Sequence, residues 1–119
     1  MMSEPLKSEY VPSQGDVVRI NFGPQIGHEQ AKTRPALILS ATEYNKRLGL
    51  AICCPITSNS KGYTSSWEVI IPAGFAVNGV ILSDQVKSFD WQARKAQFIC
   101  HLPNQVVDDV LAKLYTLFE

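Results

Sequence analysis

The sequence predicts a small, mostly β domain with helices: a strongly bent antiparallel sheet or partly closed barrel, followed by an amphipathic C-terminal helix. Two observations carry this expectation. About six short strand-like runs recur along the chain, separated by segments rich in Gly, Pro, Ser, Thr and Asn. Only the last stretch, LPNQVVDDVLAKLYTLFE, sustains helical spacing, with Val107, Val110, Leu111, Leu114 and Leu117 recurring on one side. A length of 119 residues with no break in composition suits a single domain, 1–119, built around one modest core.

Residues 1–14 are polar, contain Pro5 and Pro12, and are expected to form a flexible arm. GDVVRINF follows, where Val18, Ile20 and Phe22 alternate with Arg19 and Asn21 as in a half-buried strand. PALILS holds the unbroken apolar run from Ala36 to Leu39, which predicts a strand covered on both faces. Ser40 and Glu43 have the spacing of a capping box, so a short helical turn is expected, ending near Gly49. LAICCPI resumes strand character, TSNSKGYTSS has the chemistry of an exposed loop, and WEVIIP places Trp67, Val69 and Ile71 on one face of a strand. A turn through Gly74 to Asn78 leads to the strand GVILSDQ, and QFICHL is the last. In the terminal helix Asn104 is the expected N-cap, with Asp108 and Asp109 near the positive end of the dipole.

Composition narrows the function classes. The formal net charge is zero, so any polyanion must be held by a local patch. No apolar run approaches the roughly 18 residues of a membrane span, and MMSEPLKSEYVPSQ lacks a signal-peptide core, which implies a cytoplasmic protein. Cys53, Cys54 and Cys100 are odd in number, and two are neighbours in an apolar run, as expected of buried reduced thiols. His28 and His101 are far apart, and no zinc spacing, phosphate-binding loop or nucleophile elbow occurs, so neither a metal nor another cofactor is expected.

Three polar segments each adjoin a strand: GHEQAKTRP, PITSNSKGY and LSDQVKSFDW. They offer Arg34, Lys61 or Lys87 to a phosphate, Thr57 and Ser58 as hydroxyl donors, His28, Glu29 or Asp84 for proton transfer, and Tyr63, Phe89 and Trp91 for base stacking. That inventory suits metal-free RNA cleavage, because the substrate brings its own nucleophile in the ribose 2′-hydroxyl and the protein need add only acid–base groups and positive charge. Plainer roles stand beside these: Arg34 pairing with Glu29, His28 as an ordinary histidine, Asp84 capping a turn, and Trp67 and Trp91 in the core.

The order GDVVRINFGPQIGHEQAKTRPALILS, then CCPITSNSKGY, then LSDQVKSFDWQAR resembles the MazF/PemK family of toxins over about residues 15–94. The resemblance implies the toxin of a type II toxin–antitoxin pair: an endoribonuclease with an SH3-like barrel fold that cuts single-stranded RNA at a short sequence without metal, leaving a 2′,3′-cyclic phosphate and a 5′-hydroxyl, and so arrests growth. It places the family's catalytic Arg and Thr on Arg34 and Thr57. His28 matches a position that is His in some members and Ser in others, and Asp84 matches a base of one branch. In that branch an Arg precedes the Asp by two positions, where this chain has Leu82, so the other arrangement is implied: Arg34 as acid, base or both and as charge stabiliser, with Thr57 on the phosphate. Glu29, Gln30, Lys32, Ser58, Lys61, Gln85 and Lys87 become RNA contacts. The implied partners are single-stranded RNA, a second copy in a homodimer, and a cognate MazE/PemI-like antitoxin with an acidic tail that Trp67, Phe75 or Trp91 receive. A gyrase poison of the CcdB type on the same fold, or a non-catalytic RNA-binding domain, are the alternatives; Arg34 and Thr57 favour the nuclease.

Overall fold

The computed structural model describes residues 10–21, 33–58 and 67–119. They form β1 (Asp16–Asn21), β2 (Thr33–Ile38), α1 (Thr42–Leu48), β3 (Leu50–Thr57), β4 (Glu68–Ile70), β5 (Val80–Leu82), β6 (Lys87–Asp90), β7 (Gln97–His101), α2 (Asn104–Tyr115) and a terminal 3-10 turn, Thr116–Phe118. Neighbouring strands run antiparallel in the order β4-β5-β3-β2-β1-β7, and among the described residues no pairing joins the two ends, so the sheet is bent but open. The mostly β class with a C-terminal helix is the expected one.

β3 is the axis. Opposite the edge that pairs with β2, its second half pairs with β5 (Ile56 with Ile81, Thr57 with Val80) and its first half with β6 (Leu50 to Cys53 against Asp90 to Lys87). Two partners in succession along one edge bend the strand between them. β6 raises the described strand count to seven, where about six were expected. Its sequence, KSFD, points only Phe89 inward, too little apolar periodicity to mark a strand; pairing with β3 decides it.

β2 is covered on both faces, as its apolar run predicts. Leu37 and Leu39 enter one cluster with Cys54, Ile56, Ile81 and the helix residues Val106, Val107 and Val110. Ala36 and Ile38 enter a second with Val18, Ile20, Ala51, Cys53, Phe89 and Trp91. Phe89 and Trp91 are therefore buried core residues rather than base-stacking platforms or receivers of a partner's tail, and the Trp91 indole donates to Asn45 O at 3.0 Å.

Three local expectations are corrected. Ser40 does not cap α1: the N-cap is Ala41, and the Ser40 hydroxyl is spent donating to Asn45 Oδ1 and accepting the Ile52 N–H at 2.8 Å. Asn104 does not cap α2 either, because it is already the first helical residue and Pro103 precedes it; Asp108 and Asp109 then fall beyond the first turn, on the exposed face. Leu117 lies past the end of α2 and is exposed. The predicted stop at Gly49 does occur, at φ 71°, with its N–H on Asn45 O at 3.0 Å.

Of the expected arm, residues 10–14 are described, and they are seated rather than loose. Pro12 is fully buried, its carbonyl accepts from Asn45 Nδ2 at 2.7 Å, and Tyr10 packs against the second cluster. The Tyr10 hydroxyl donates to Asp16 Oδ2 at 2.6 Å, the Ser13 N–H donates to the same oxygen at 3.0 Å, and His101 Nδ1 lies 2.8 Å from Oδ1. Burial first, and then this bond and the Asp16 charge, push the tyrosine's pKa well above its ordinary value. Gly15 makes the arrangement possible. At φ 95° it occupies a region costly for side-chain-bearing residues, and a Cβ there would meet the His101 ring at 2.8 Å.

Candidate active site

The site is a consequence of strand register. Arg34 on β2 faces Ile20 on β1, and the β2–β3 pairing of Ala36 with Pro55, continued by two residues, sets Arg34 across from Thr57, itself paired with Val80 on β5. One row of side chains thus runs Ile20, Arg34, Thr57, Val80 across four strands, with cross-strand Cβ atoms about 5 Å apart. Ile20 and Val80 are buried. The cation and the hydroxyl fill the gap between them.

Here the sheet opens into a cleft of about 390 Å³ lined by Arg34, Pro35, Ile56, Thr57, Ser58 and the β4–β5 connection Ala76 to Asn78. Pro35 confines the residue before it to extended backbone, which fixes the direction from which Arg34 enters. Arg34 is exposed, and among the described residues no carboxylate pairs with its guanidinium. Gly79 lets the far wall come close. Its φ is 114°, and a Cβ on it would stand 2.2 Å from the Thr57 carbonyl oxygen.

Of the residues singled out from sequence, the structure brings Arg34, Thr57 and Ser58 together in this cleft. His28, Glu29, Gln30, Lys32 and Lys61 lie outside the described residues, as does Tyr63. Asp84 and Gln85 occupy an exposed turn after β5, closed by the Gln85 N–H on Leu82 O at 3.1 Å. β5 runs away from Thr57 and ends at Leu82, so Asp84, two residues further on in the turn, lies beside Cys54. It does not line the cleft. Lys87 belongs to a different depression, on β6.

Sequence reasoning missed the cleft's second wall, Ala76 to Asn78, and the glycine that seats it. The available signal was the dipeptide Asn78-Gly79 between two strands, a turn mark that says nothing of which strand the turn will touch. The thiols are not candidates. Burial pushes Cys53 and Cys54 up to about 12, and all three cysteines are free. Among the described residues no cluster of three His, Cys, Asp or Glu side chains converges to hold a metal.

Residues 13–118 match the family described as PemK-like, MazF-like toxin of type II toxin–antitoxin system. The chain belongs to this family. It is 47% identical to the endoribonuclease toxin MazF of Escherichia coli K12 over 89 residues, covering 75% of this chain and 78% of that one. It is 36% identical to the endoribonuclease toxin ChpB of the same organism over 116 residues, covering 95% and 97%. Among solved structures, a MazE-MazF crystal structure from Deinococcus radiodurans (Form-II) matches with a TM-score of 0.86 and 45% identity over 92% of this chain and 97% of that one.

Proposed function

We propose that this MazF/PemK-family toxin is an endoribonuclease that cleaves single-stranded RNA in the Arg34–Thr57 cleft. The observation that carries the reading is the row itself: one guanidinium with no carboxylate partner among the described residues and one hydroxyl, set side by side in a polar gap between buried apolar neighbours. The substrate 2′-oxygen attacks phosphorus, the 2′-hydroxyl gives up its proton, the bond to the 5′-oxygen breaks and that oxygen takes a proton, leaving a 2′,3′-cyclic phosphate and a 5′-hydroxyl. Charge accumulates on the equatorial phosphoryl oxygens in between. A guanidinium stays protonated at any working pH and presents a planar fork of donors, so Arg34 suits the stabilisation of that charge, while the Thr57 hydroxyl orients the phosphate.

Ser58 and Lys87 extend the contact to the rest of the strand; by resemblance His28 is a further catalytic candidate, and Glu29, Gln30, Lys32, Lys61 and Gln85 are further contacts. The relatives' names carry the same activity, and the Deinococcus complex pairs a MazF with a MazE, which supports a cognate antitoxin for this chain. A homodimer working in the cytoplasm completes the reading; among the described residues no helix is long and apolar enough to cross a membrane.

Incubating the purified chain with single-stranded RNA in EDTA tests it directly. Cleavage with cyclic-phosphate ends, abolished when the nucleotide 5′ to the cut carries a 2′-deoxyribose, is the expected result. Intact RNA, or trapping of gyrase in its place, overturns it.

A further inference from the structure

The far wall of the cleft, Ala76 to Asn78, belongs to the connection between β4 and β5, whose ends are tied by the Ile71 N–H on Gly79 O at 3.0 Å. β4 and β5 stand at one end of the strand order and β7 at the other. The connection nevertheless reaches β7. Phe75 and Val77 pack against the first cluster together with Ile99 and Cys100, and the Ala76 N–H acts on the Cys100 sulfur as a hydrogen-bond donor. A loop thus spans the side of the sheet that, among the described residues, no strand pairing closes.

β7 is shaped for this contact. Val17 pairs with Cys100 but Val18 pairs with Phe98, so Ile99 is the extra residue of a bulge. In a regular strand Ile99 and Cys100 would point to opposite faces; the bulge re-aims one of them, and both pack on the first cluster. Burial pushes the Cys100 thiol up, and the Ala76 N–H acts against that rise, as a donor aimed at sulfur does. The wall is therefore seated at two points: Gly79 lies against the Thr57 carbonyl, and Ala76 lies against Cys100.

We propose that Cys100 is a positioning residue for the cleft: from the bulge of β7 it holds Ala76, and with it Val77 and Asn78, at the distance from Arg34 and Thr57 that a bound substrate needs. The proposal rests on the nuclease reading above. Cys100 is not part of the cleft lining and acts only through the wall. Arg34 and Thr57 stand on β2 and β3, across from it, so a wall that retreats weakens the ground state and the transition state alike and leaves the chemical step in place.

The test uses three full-length variants: Cys100→Val, which keeps an apolar side chain but removes the acceptor; Cys100→Ser, which keeps an acceptor; and Ile99→Ala, which trims the neighbouring side chain on the same cluster. Amide hydrogen exchange reads the wall directly. Cys100→Val is expected to speed exchange at Ala76 about tenfold, with Cys100→Ser and Ile99→Ala close to wild type. On a cleavable single-stranded RNA, Cys100→Val is expected to raise KM about three- to fivefold with kcat unchanged, and Cys100→Ser to restore KM. Wild-type exchange at Ala76 in Cys100→Val overturns the proposal, as does an equal rise of KM in Ile99→Ala, which would mark the effect as loss of packing alone. Should the wild-type chain cut nothing, the nuclease reading falls, and exchange at Ala76 still decides whether Cys100 holds the wall.

Discussion

The two ends of β3 teach different lessons about where chemistry sits. Its first residues pair with β6 and bury Ala51 and Cys53 beneath Phe89 and Trp91, so that end is dry. Its last residue, Thr57, pairs with β5 beside Arg34, where the clusters run out and the sheet opens into the cleft. One strand thus supplies packing at one end and functional groups at the other. The difference lies in what covers each end rather than in the strand's own geometry.

The most forceful way to break this contrast is at Arg34. Arg34→Ala is expected to lower kcat for RNA cleavage by about 10²–10³, the scale for removing one donor to transition-state charge, while thermal unfolding stays within a degree or two of wild type. Thr57→Ala is expected to lose less and Thr57→Ser to recover much of it; equal rates in all variants would remove the open end from the mechanism. Gly79→Ala comes next. It forces a Cβ against the Thr57 carbonyl, so stability is expected to fall by about 1–3 kcal/mol in urea titrations, with cleavage falling alongside. Unchanged unfolding would show that the far wall has room to retreat.

The closed end is tested by pH. A thiol raised from 9.0 to about 12 on folding holds its proton where the unfolded chain loses it. Stability from this source is fully present below pH 9 and is lost as pH rises towards 12, at about 1.4 kcal/mol per unit for each thiol. Urea titrations across that window are expected to slope downward, and Cys53→Ala to make the slope shallower; a wild-type slope in that variant would contradict the dry end. Smallest is Asp84→Asn, expected to change cleavage by no more than about threefold because the turn stands away from the cleft. A loss like that of Arg34→Ala would return Asp84 to the catalytic group.

Much of this fold is visible in the residues because periodicity is local. The run from Ala36 to Leu39 announces a strand buried on both faces, and Val107, Val110 and Leu111 announce the covering helix. β6 escapes because its strand character is lent by β3, and the cap at Ser40 fails because its hydroxyl answers to Asn45 and Ile52, which no spacing rule anticipates. The site divides the same way. Residue chemistry nominates Arg34 and Thr57 among many, family resemblance ranks them first, and register alone places them side by side. The ties of Asp16 to His101, across 85 residues of sequence, and of Gly79 to Thr57 belong to tertiary structure and leave no local trace.

The position of β1 has a consequence for synthesis. It pairs on one side with β2, the next strand in the sequence, and on the other with β7, the last. Until residues 97–110 leave the ribosome, Asp16 lacks its histidine and the cluster fed by Leu102, Val106, Val107 and Val110 stays open to water. A nascent chain stopped short of α2 already carries Arg34 and Thr57, but no finished sheet to hold them in register. The sheet that holds Arg34 beside Thr57 is therefore finished only by residues far along the chain, 97–110, which close over β1 and fill the first cluster.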